Sequence, residues 1–119
     1  MASQLQQYIN QTFEVAPDTA RRLETAFVDE FLPKGEFFTR IGSYHNRLSF
    51  LHEGYIRVYA EPDGKDITQW ISSPGEFITD LSALIFRRPA RWHIQALTDC
   101  QLFTMPQETY LQMEERMPD

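Results

Sequence analysis

Several residue types are scarce in this chain, and each shortage excludes a class of protein. Only one of its 119 residues is a cysteine, Cys100, so an internal disulfide cannot form. No apolar run approaches the roughly 18 residues that are needed to cross a bilayer. The N-terminus also lacks the basic flank and apolar centre of a signal peptide. We therefore expect a cytoplasmic protein that makes no membrane contact.

Basic residues are the second shortage. The chain has 11 lysines and arginines against 17 acids, which gives a formal net charge of −6. Non-specific binding to nucleic acid depends on clustered lysine and arginine side chains that neutralise phosphates. The composition therefore predicts that these residues do not grip DNA by themselves.

Motifs for catalysis and for metal binding are missing as well. There is no Gly-x-Ser-x-Gly elbow, no phosphate-binding P-loop and no pair of catalytic carboxylates. The three histidines, His45, His52 and His93, form no His-x-His pair and no tight group with a glutamate. Cys100 lies among apolar neighbours and is predicted to be a small buried hydrophobe. We expect neither an enzyme nor a metal site, and a single cysteine cannot ligate an iron–sulfur cluster.

Two short helices are predicted at the start of the chain. Residues 3–13 place Leu5, Tyr8, Ile9 and Phe13 on one helical face. Asp18 is predicted to be the N-cap of a second helix. That helix carries its apolar side chains on one face: Ala20, Leu23, Ala26 and Phe27.

From Phe31 onwards the pattern is that of short strands separated by glycines. Glycines recur at intervals of roughly ten residues, a spacing that is typical of an all-β sandwich or barrel. Strands are predicted near residues 36–40, 47–51, 55–60, 66–72, 91–97 and 101–105, and a helix after Pro106. The turn at Pro62-Asp63-Gly64 predicts a hairpin between the strands at 55–60 and 66–72.

Residues 73–100 combine a Pro-Gly turn, a short apolar segment that begins at Thr79-Asp80, and a loop rich in arginine. Backbone N–H groups at the start of a short helix attract negative charge, and nearby guanidinium groups can complete an anion site. The alternative is a surface loop whose arginines (Arg87, Arg88 and Arg91) pair with acids such as Glu76 or Asp80.

The order and spacing of five segments resemble the sensory domain of Crp/Fnr-type bacterial transcription regulators. These segments are the Lys-Gly-Glu at 34–36, the glycine-centred pair of strands at 51–59, the hairpin tip at 62–65, the strand at 75–78 and the strand at 92–100. The resemblance implies a mainly β fold, a double-stranded β-helix (a jelly-roll or β-roll) with short flanking α-helices. It also implies a single cyclic nucleotide-binding-like domain over residues 1–119.

The resemblance has further implications for a complete regulator. A long dimerisation helix and a winged helix-turn-helix would follow the sensory domain, and this chain is expected to end where that helix would begin. DNA would then be bound only through a C-terminal domain absent from this chain, and the full-length regulator would be a homodimer.

Family members that bind a cyclic nucleotide carry a Gly-Glu pair at the start of the cassette helix and an Arg-Ser or Arg-Thr pair ten residues later. The corresponding positions here are Thr79 and Asp80, then Ala90 and Arg91, and all four differ from that pattern. Alanine in place of arginine removes a charge-assisted phosphate contact of roughly 1.5–3 kcal/mol. By strand parity Trp92 points into the roll, where it would fill space that a ligand needs.

The resemblance therefore implies a degenerate ligand-binding cassette made of Thr79, Asp80, Leu81, Ala90, Arg91 and Trp92. We expect a signal- or ligand-sensing regulatory domain that does not bind cyclic AMP in the usual way. No cofactor is assigned, a cyclic nucleotide is disfavoured, and a small anionic effector stays open as a partner. Two alternatives stay open: a free-standing β-roll module for protein interaction, and a cupin-like binder of a small molecule.

Overall fold

Eight strands form two sheets in the computed structural model, which describes residues 3–44 and 46–116, with no side-chain placement for 114–116. In chain order the described elements are α1 Gln4–Phe13, α2 Pro17–Glu24, β1 Val28–Leu32, β2 Phe37–Thr39, β3 Arg47–Glu53, β4 Ile56–Ala60, a 3₁₀ turn at Pro62–Gly64, β5 Ile67–Ser72, β6 Phe77–Ile78, α3 Leu81–Phe86, β7 His93–Ala96, β8 Cys100–Pro106 and α4 Gln107–Arg116.

Both sheets are four-stranded and antiparallel. The first sheet has the order β1-β8-β3-β6, and the second has the order β2-β7-β4-β5. Except in the β4–β5 hairpin, neighbouring strands of each sheet are far apart in the chain, as in a rolled-up pair of sheets. The predicted fold class, a mainly β roll with short flanking helices, is confirmed. No helix in the described ranges has the length and apolarity that a membrane crossing requires.

Helix α1 forms as its pattern predicts. Ser3 caps it by accepting the N–H of Gln6 at 3.1 Å, and Leu5, Tyr8 and Ile9 are buried. The start of α2 differs from the prediction, because Ala16 is its N-cap and makes no side-chain cap bond. Pro17 takes the first helical position, where its missing N–H costs nothing. The expected cap, Asp18, therefore lies in the first turn and pairs with Arg21.

The apolar residues form two clusters, one on each side of the first sheet. The first cluster packs α1 and α2 against the outer face of this sheet, and its buried members include Ile9, Leu23, Leu48, Phe50, Leu84 and Met105. The second cluster fills the space between the two sheets with residues such as Leu51, Ile56, Val58, Ile94 and Leu102. The first sheet is therefore covered on both faces.

The hairpin between β4 and β5 is confirmed, with Ala60 opposite Ile67 at its closed end. Asp63 and Gly64 both adopt positive φ angles in the turn, 55° and 75°. A second glycine is required for a different reason. Gly54 has φ of 102°, and a Cβ there would lie 2.5 Å from the carbonyl oxygen of Asp99, so no side chain fits.

Strand β1 was not predicted from the sequence. It begins at Val28, three residues before the expected onset of β structure, and it contains two acids, Asp29 and Glu30. Acidic residues are depleted in strands, which hides this one from a pattern search. It forms because β8 pairs with it along its length and because Arg47 neutralises Glu30 from the neighbouring strand β3.

Candidate functional site

The cassette connects the first sheet to the second. It leaves β6 and forms α3, which starts at Leu81 as predicted and ends at Arg87, a residue in the left-handed region with φ of 52°. A loop then leads to β7. Helix α3 packs inward through Ala83 and Leu84, which are fully buried, while Leu81 is 52% exposed.

Asp80 is the most constrained polar residue of the cassette. It is only 4% exposed. Its Oδ1 accepts the N–H of Ala83 at 3.2 Å, which caps α3, and its Oδ2 accepts the N–H of Arg91 at 2.7 Å. A buried carboxylate needs such partners, because an unpaired charge away from water is costly. The carboxylate therefore ties the start of the helix to the far end of the cassette loop.

Thr79 joins the cassette to the first sheet. Its hydroxyl donates to the carbonyl oxygen of Arg47 at 2.9 Å. The guanidinium of Arg47 in turn donates twice to Glu30, at 2.9 and 2.7 Å, and once to the carbonyl of Phe38 at 2.7 Å. Thr79 therefore stands in a chain of contacts that reaches β1 and β2, and its side chain is already engaged.

The carboxylate of Glu30 is the electrostatic centre of this chain of contacts. Burial raises its pKa, but hydrogen bonds from Arg47 and Thr104 and the guanidinium charge outweigh that effect, so the pKa lies below its usual value. Thr104 also shares a hydrogen bond of 2.7 Å with Ser49. The network therefore links β1, β3 and β8 through side-chain hydrogen bonds.

Ala90 and Arg91 sit at the other end of the cassette. Ala90 is 2% exposed, and its backbone exchanges hydrogen bonds with the turn at Gly42 and Ser43, at 2.7 and 2.9 Å. Arg91 is exposed, so its side chain faces solvent. Within residues 3–44 and 46–116, its guanidinium has no hydrogen-bond or ion-pair partner.

The predicted pairing of cassette arginines with Glu76 or Asp80 is wrong. Arg87 pairs instead with Glu108 at 2.6 and 3.2 Å, and Arg88 lies over the ring of Phe86. Glu76 accepts from the hydroxyl of Ser73. The reason is tertiary, because α4 folds back against α3 and brings Glu108 within reach. This contact lowers the pKa of Glu108 and raises that of Arg87.

Helix α4 also forms hydrogen bonds to the cassette helix α3. The side-chain amide of Gln107 donates to the carbonyl oxygens of Ala83 and Leu84, at 3.2 and 2.9 Å. These carbonyls belong to the short helix α3, whose last turns lack partners of their own. No sequence signal singled out Gln107, because a residue 23 or 24 positions away can be matched to these carbonyls only once the fold is known.

Trp92 lies where strand parity places it. It is partly buried and packs against the second core cluster. Its ring centroid is 6.1 Å from that of Trp70, with an angle of 57° between the planes. The sequence did not single out Trp70. Its pairing with the buried Val58 places it on the inner face of the second sheet.

The two described histidines, His52 and His93, contact neighbouring side chains and backbone groups of the fold. His52 shares a hydrogen bond of 3.2 Å with the hydroxyl of Tyr8. His93 pairs with Glu61 and accepts the N–H of Ile41 at 3.2 Å. His45 falls outside the described residues, and among those residues no three His, Cys, Asp or Glu side chains come together as metal ligands.

Cys100 is a free, fully buried thiol, as predicted. Burial raises its pKa, and a protonated thiol is a poor nucleophile.

Most of the six cassette residues are held by contacts within the protein. Asp80 and the backbone of Arg91 hold each other, Thr79 is bound to β3, and Ala90 has no polar side chain. Leu81 points outward and Trp92 lies against the core. The free guanidinium of Arg91 is the one cationic group of the six residues, and it stands in solvent.

Residues 29–116 match the family model described as the cyclic nucleotide-binding domain. Among curated proteins no significant match is found. Among solved structures, the chain is similar to the catabolite activator protein of Thermus thermophilus, with 21% identity, a TM-score of 0.79, and 89% of this chain and 50% of that chain covered. The chain therefore spans about half the length of that protein.

Two other solved structures show the same fold. The sensor domain of the transcriptional regulator DNR from Pseudomonas aeruginosa is 20% identical, with a TM-score of 0.76 and with 92% of this chain and 76% of that chain covered. The regulatory subunit of a cAMP-independent protein kinase A from Trypanosoma cruzi, solved bound to guanosine, is 16% identical, with a TM-score of 0.77 and with 95% and 44% covered.

Proposed function

This chain belongs to the family of cyclic nucleotide-binding domains, and from that premise we propose that it is the signal-sensing regulatory domain of a Crp/Fnr-type transcription regulator whose cassette does not take a cyclic nucleotide in the usual way. The domain acts by binding and is not an enzyme. Its signal reaches DNA through parts of the regulator outside these residues.

The observation that carries this proposal is the position of the Asp80 carboxylate. It accepts two backbone N–H groups, one at the start of α3 and one at Arg91. Backbone N–H groups at a helix start and in the following loop are the donors that an anionic ligand would need. Here the Asp80 carboxylate accepts both of them, so they are not available to a phosphate.

The second observation in support of the proposal is that position 90 carries no cationic side chain. The position that corresponds to the family's phosphate-binding arginine is Ala90, which is buried and apolar. Losing a charge-assisted hydrogen bond costs roughly 1.5–3 kcal/mol, or about one to two powers of ten in affinity. The neighbouring Arg91 does not replace it, because its side chain lies on the solvent side. An anionic effector at Arg91 would therefore bind at the surface.

The remaining parts of the proposal concern the whole regulator. We place it in the cytoplasm as a homodimer, with DNA contacted through a C-terminal domain. The catabolite activator protein, of which this chain covers 50%, supports a second half of this kind. The net charge of −6 agrees with a sensory half that does not itself grip DNA.

Calorimetric titration with cyclic AMP and cyclic GMP, each carried to millimolar concentration, tests the proposal. We expect no saturable heat from either ligand, because the phosphate finds no free donor and no paired cation. A micromolar Kd that is abolished in Asp80→Ala would overturn the proposal, since it would show Asp80 facing a ligand.

A variant that restores the family pattern provides the positive control. It combines Thr79→Gly, Asp80→Glu, Ala90→Arg and Arg91→Ser. Together these substitutions restore the family's cassette residues, including an arginine at position 90 that can pair with a phosphate. We expect measurable cyclic-nucleotide binding in this variant and none in the wild-type domain, with circular dichroism to confirm that both are folded.

A further inference from the structure

His93, the first residue of β7, has both of its ring nitrogens engaged, and its side chain is only 13% exposed. Its Nδ1 lies 3.2 Å from the backbone nitrogen of Ile41, and its Nε2 faces the carboxylate of Glu61. Because a backbone N–H can only donate a hydrogen bond, Nδ1 must accept it and carries no proton. The ring is therefore held in the neutral form whose proton lies on Nε2 and points to Glu61.

The imidazole also contacts an aromatic ring from each neighbouring strand. Its ring centroid is 5.0 Å from that of Tyr59 on β4 and 5.5 Å from that of Phe37 on β2. Each of these rings carries a guanidinium, Arg57 at 4.0 Å over Tyr59 and Arg40 at 3.9 Å over Phe37. The titratable or charged groups around the imidazole are therefore the carboxylate of Glu61, the phenol of Tyr59 and the guanidiniums of Arg40 and Arg57.

Ile41 belongs to a turn, residues 40–43, that holds the far end of the cassette. The N–H of Gly42 donates to the carbonyl oxygen of Ala90 at 2.7 Å, and the turn accepts the N–H of Ala90 at 2.9 Å. The hydrogen bond from Ile41 to His93 is the side-chain contact that fixes this turn to β7. The protonation state of one imidazole therefore bears on a turn that is bound to the cassette.

Protonation of His93 has opposite effects on its two contacts. A proton on Nδ1 sets one N–H against another, so the hydrogen bond from Ile41 is lost. The positive charge strengthens the pair between Nε2 and the Glu61 carboxylate, so the ring itself stays in place. Histidine side chains change charge between about pH 5 and 8. Acidification in this range therefore breaks the contact with the turn and keeps the contact with Glu61.

We propose that His93 makes the attachment of the 40–43 turn to the cassette dependent on pH. The neutral imidazole holds the turn against Ala90, and the imidazolium releases it. The step is the transfer of one proton from water to Nδ1, and only hydrogen bonds change. The inference rests on the proposed function, because it names acidity as a signal that reaches the cassette of a sensory domain.

Nuclear magnetic resonance of the ¹⁵N-labelled domain tests the proposal. At about pH 8 the ring signals of His93 should show that Nδ1 is the nitrogen without a proton. As the ring titrates, the protection of the amides of Ile41, Gly42 and Ala90 against hydrogen exchange should fall about three- to tenfold, the effect of losing one hydrogen bond. Protection factors remove the intrinsic effect of pH on exchange.

Three results of this measurement would overturn the proposal. The first is a proton on Nδ1 at about pH 8, and the second is a ring that does not titrate above about pH 5. The third is a ring that titrates while the amides of the 40–43 turn keep their protection. An equal loss of protection in the amides of β3 would likewise show a general loosening of the fold and would contradict a local release.

Two substitutions of His93 separate its nitrogens. His93→Asn keeps an acceptor oxygen near the place of Nδ1 but cannot ionise, so the Ile41 amide should stay protected at every pH. His93→Gln reaches towards Glu61 and lacks that acceptor, so the protection should be about three- to tenfold lower at every pH. His52→Gln is the control, because that imidazole bonds the hydroxyl of Tyr8 on the other sheet, and the pH response should stay as in wild type.

The reverse order of the two His93 variants, or a response that disappears in His52→Gln, would overturn the assignment to Nδ1 of His93. Circular dichroism confirms that each variant is folded. Failure of this proposal is distinguishable from failure of the proposed function. Unchanged protection of the turn removes the role of His93 alone, whereas micromolar binding of a cyclic nucleotide that Asp80→Ala abolishes removes the proposed closure of the cassette.

Discussion

The first sheet and the β5 end of the second sheet differ in how their apolar surface is covered. Helices α1 and α2 cover the outer face of the first sheet, and the second sheet covers its inner face. In β3 this leaves Leu48, Phe50 and Leu51 with no exposure at all. In β5, by contrast, every residue except Ser72 is exposed. Coverage on both faces removes the apolar side chains of the first sheet from water, whereas the exposed side chains of β5 stay in contact with it.

The largest expected effect tests the covered region. Phe50 has no exposed surface and its ring meets those of Tyr8, Phe27 and Phe77. Phe50→Ala should lower the free energy of unfolding by about 3–5 kcal/mol, because it leaves a cavity among these rings. Ile71→Ala is the control in the exposed strand β5, and with Ile71 55% exposed it should cost about 1 kcal/mol or less. Urea unfolding measures both, and equal losses would contradict the comparison.

A smaller effect, dependent on pH, is expected at Glu30. Its pKa lies below the usual 4.5, so its contribution to stability is fully present above pH 4.5 and is lost as the pH falls through the lower, folded-state pKa. Glu30→Gln should therefore reduce the free energy of unfolding by about 1.5–3 kcal/mol at neutral pH, and the difference from wild type should shrink in acid.

Urea unfolding at a series of pH values checks this prediction. Glu108→Gln is the control, because that carboxylate forms an exposed pair with Arg87 and its loss should leave the neutral-pH urea midpoint unchanged. A difference between Glu30→Gln and wild type that stays constant through the acid range would contradict the pairing with Arg47.

The smallest of the three effects concerns the cassette. Asp80→Ala removes the cap of α3 and leaves the N–H of Arg91 without its acceptor, so we expect a loss of about 1–2 kcal/mol. Hydrogen exchange should show faster exchange at the amides of Ala83 and Arg91, with the amides of the first sheet unchanged. Asp18→Ala, at an exposed position in the first turn of α2, is the control and should alter neither. Uniform acceleration across both sheets would show that Asp80 supports the whole fold.

The sequence predictions were correct where the interacting residues are close together in the chain, and they failed where those residues are far apart. Helix α1, the β4–β5 hairpin and the start of α3 depend on side chains within a few residues of one another, and all three were predicted. The inward direction of Trp92 followed from the alternation of a strand. The strand β1 and the ion pair between Arg87 and Glu108 were missed, because each depends on a partner at least 17 positions away.

The sequence by itself determined the family and the rolled β fold, and it predicted a cassette that departs from the family pattern at four positions. It did so because glycine spacing, strand alternation and the residues at the cassette positions are local features. Only the tertiary structure decided what the cassette residues contact. It showed Asp80 bound to the amides of Ala83 and Arg91, and it brought Trp70 beside Trp92. Both outcomes depend on how the loop and the sheets close in space, and side-chain identity alone does not specify that closure.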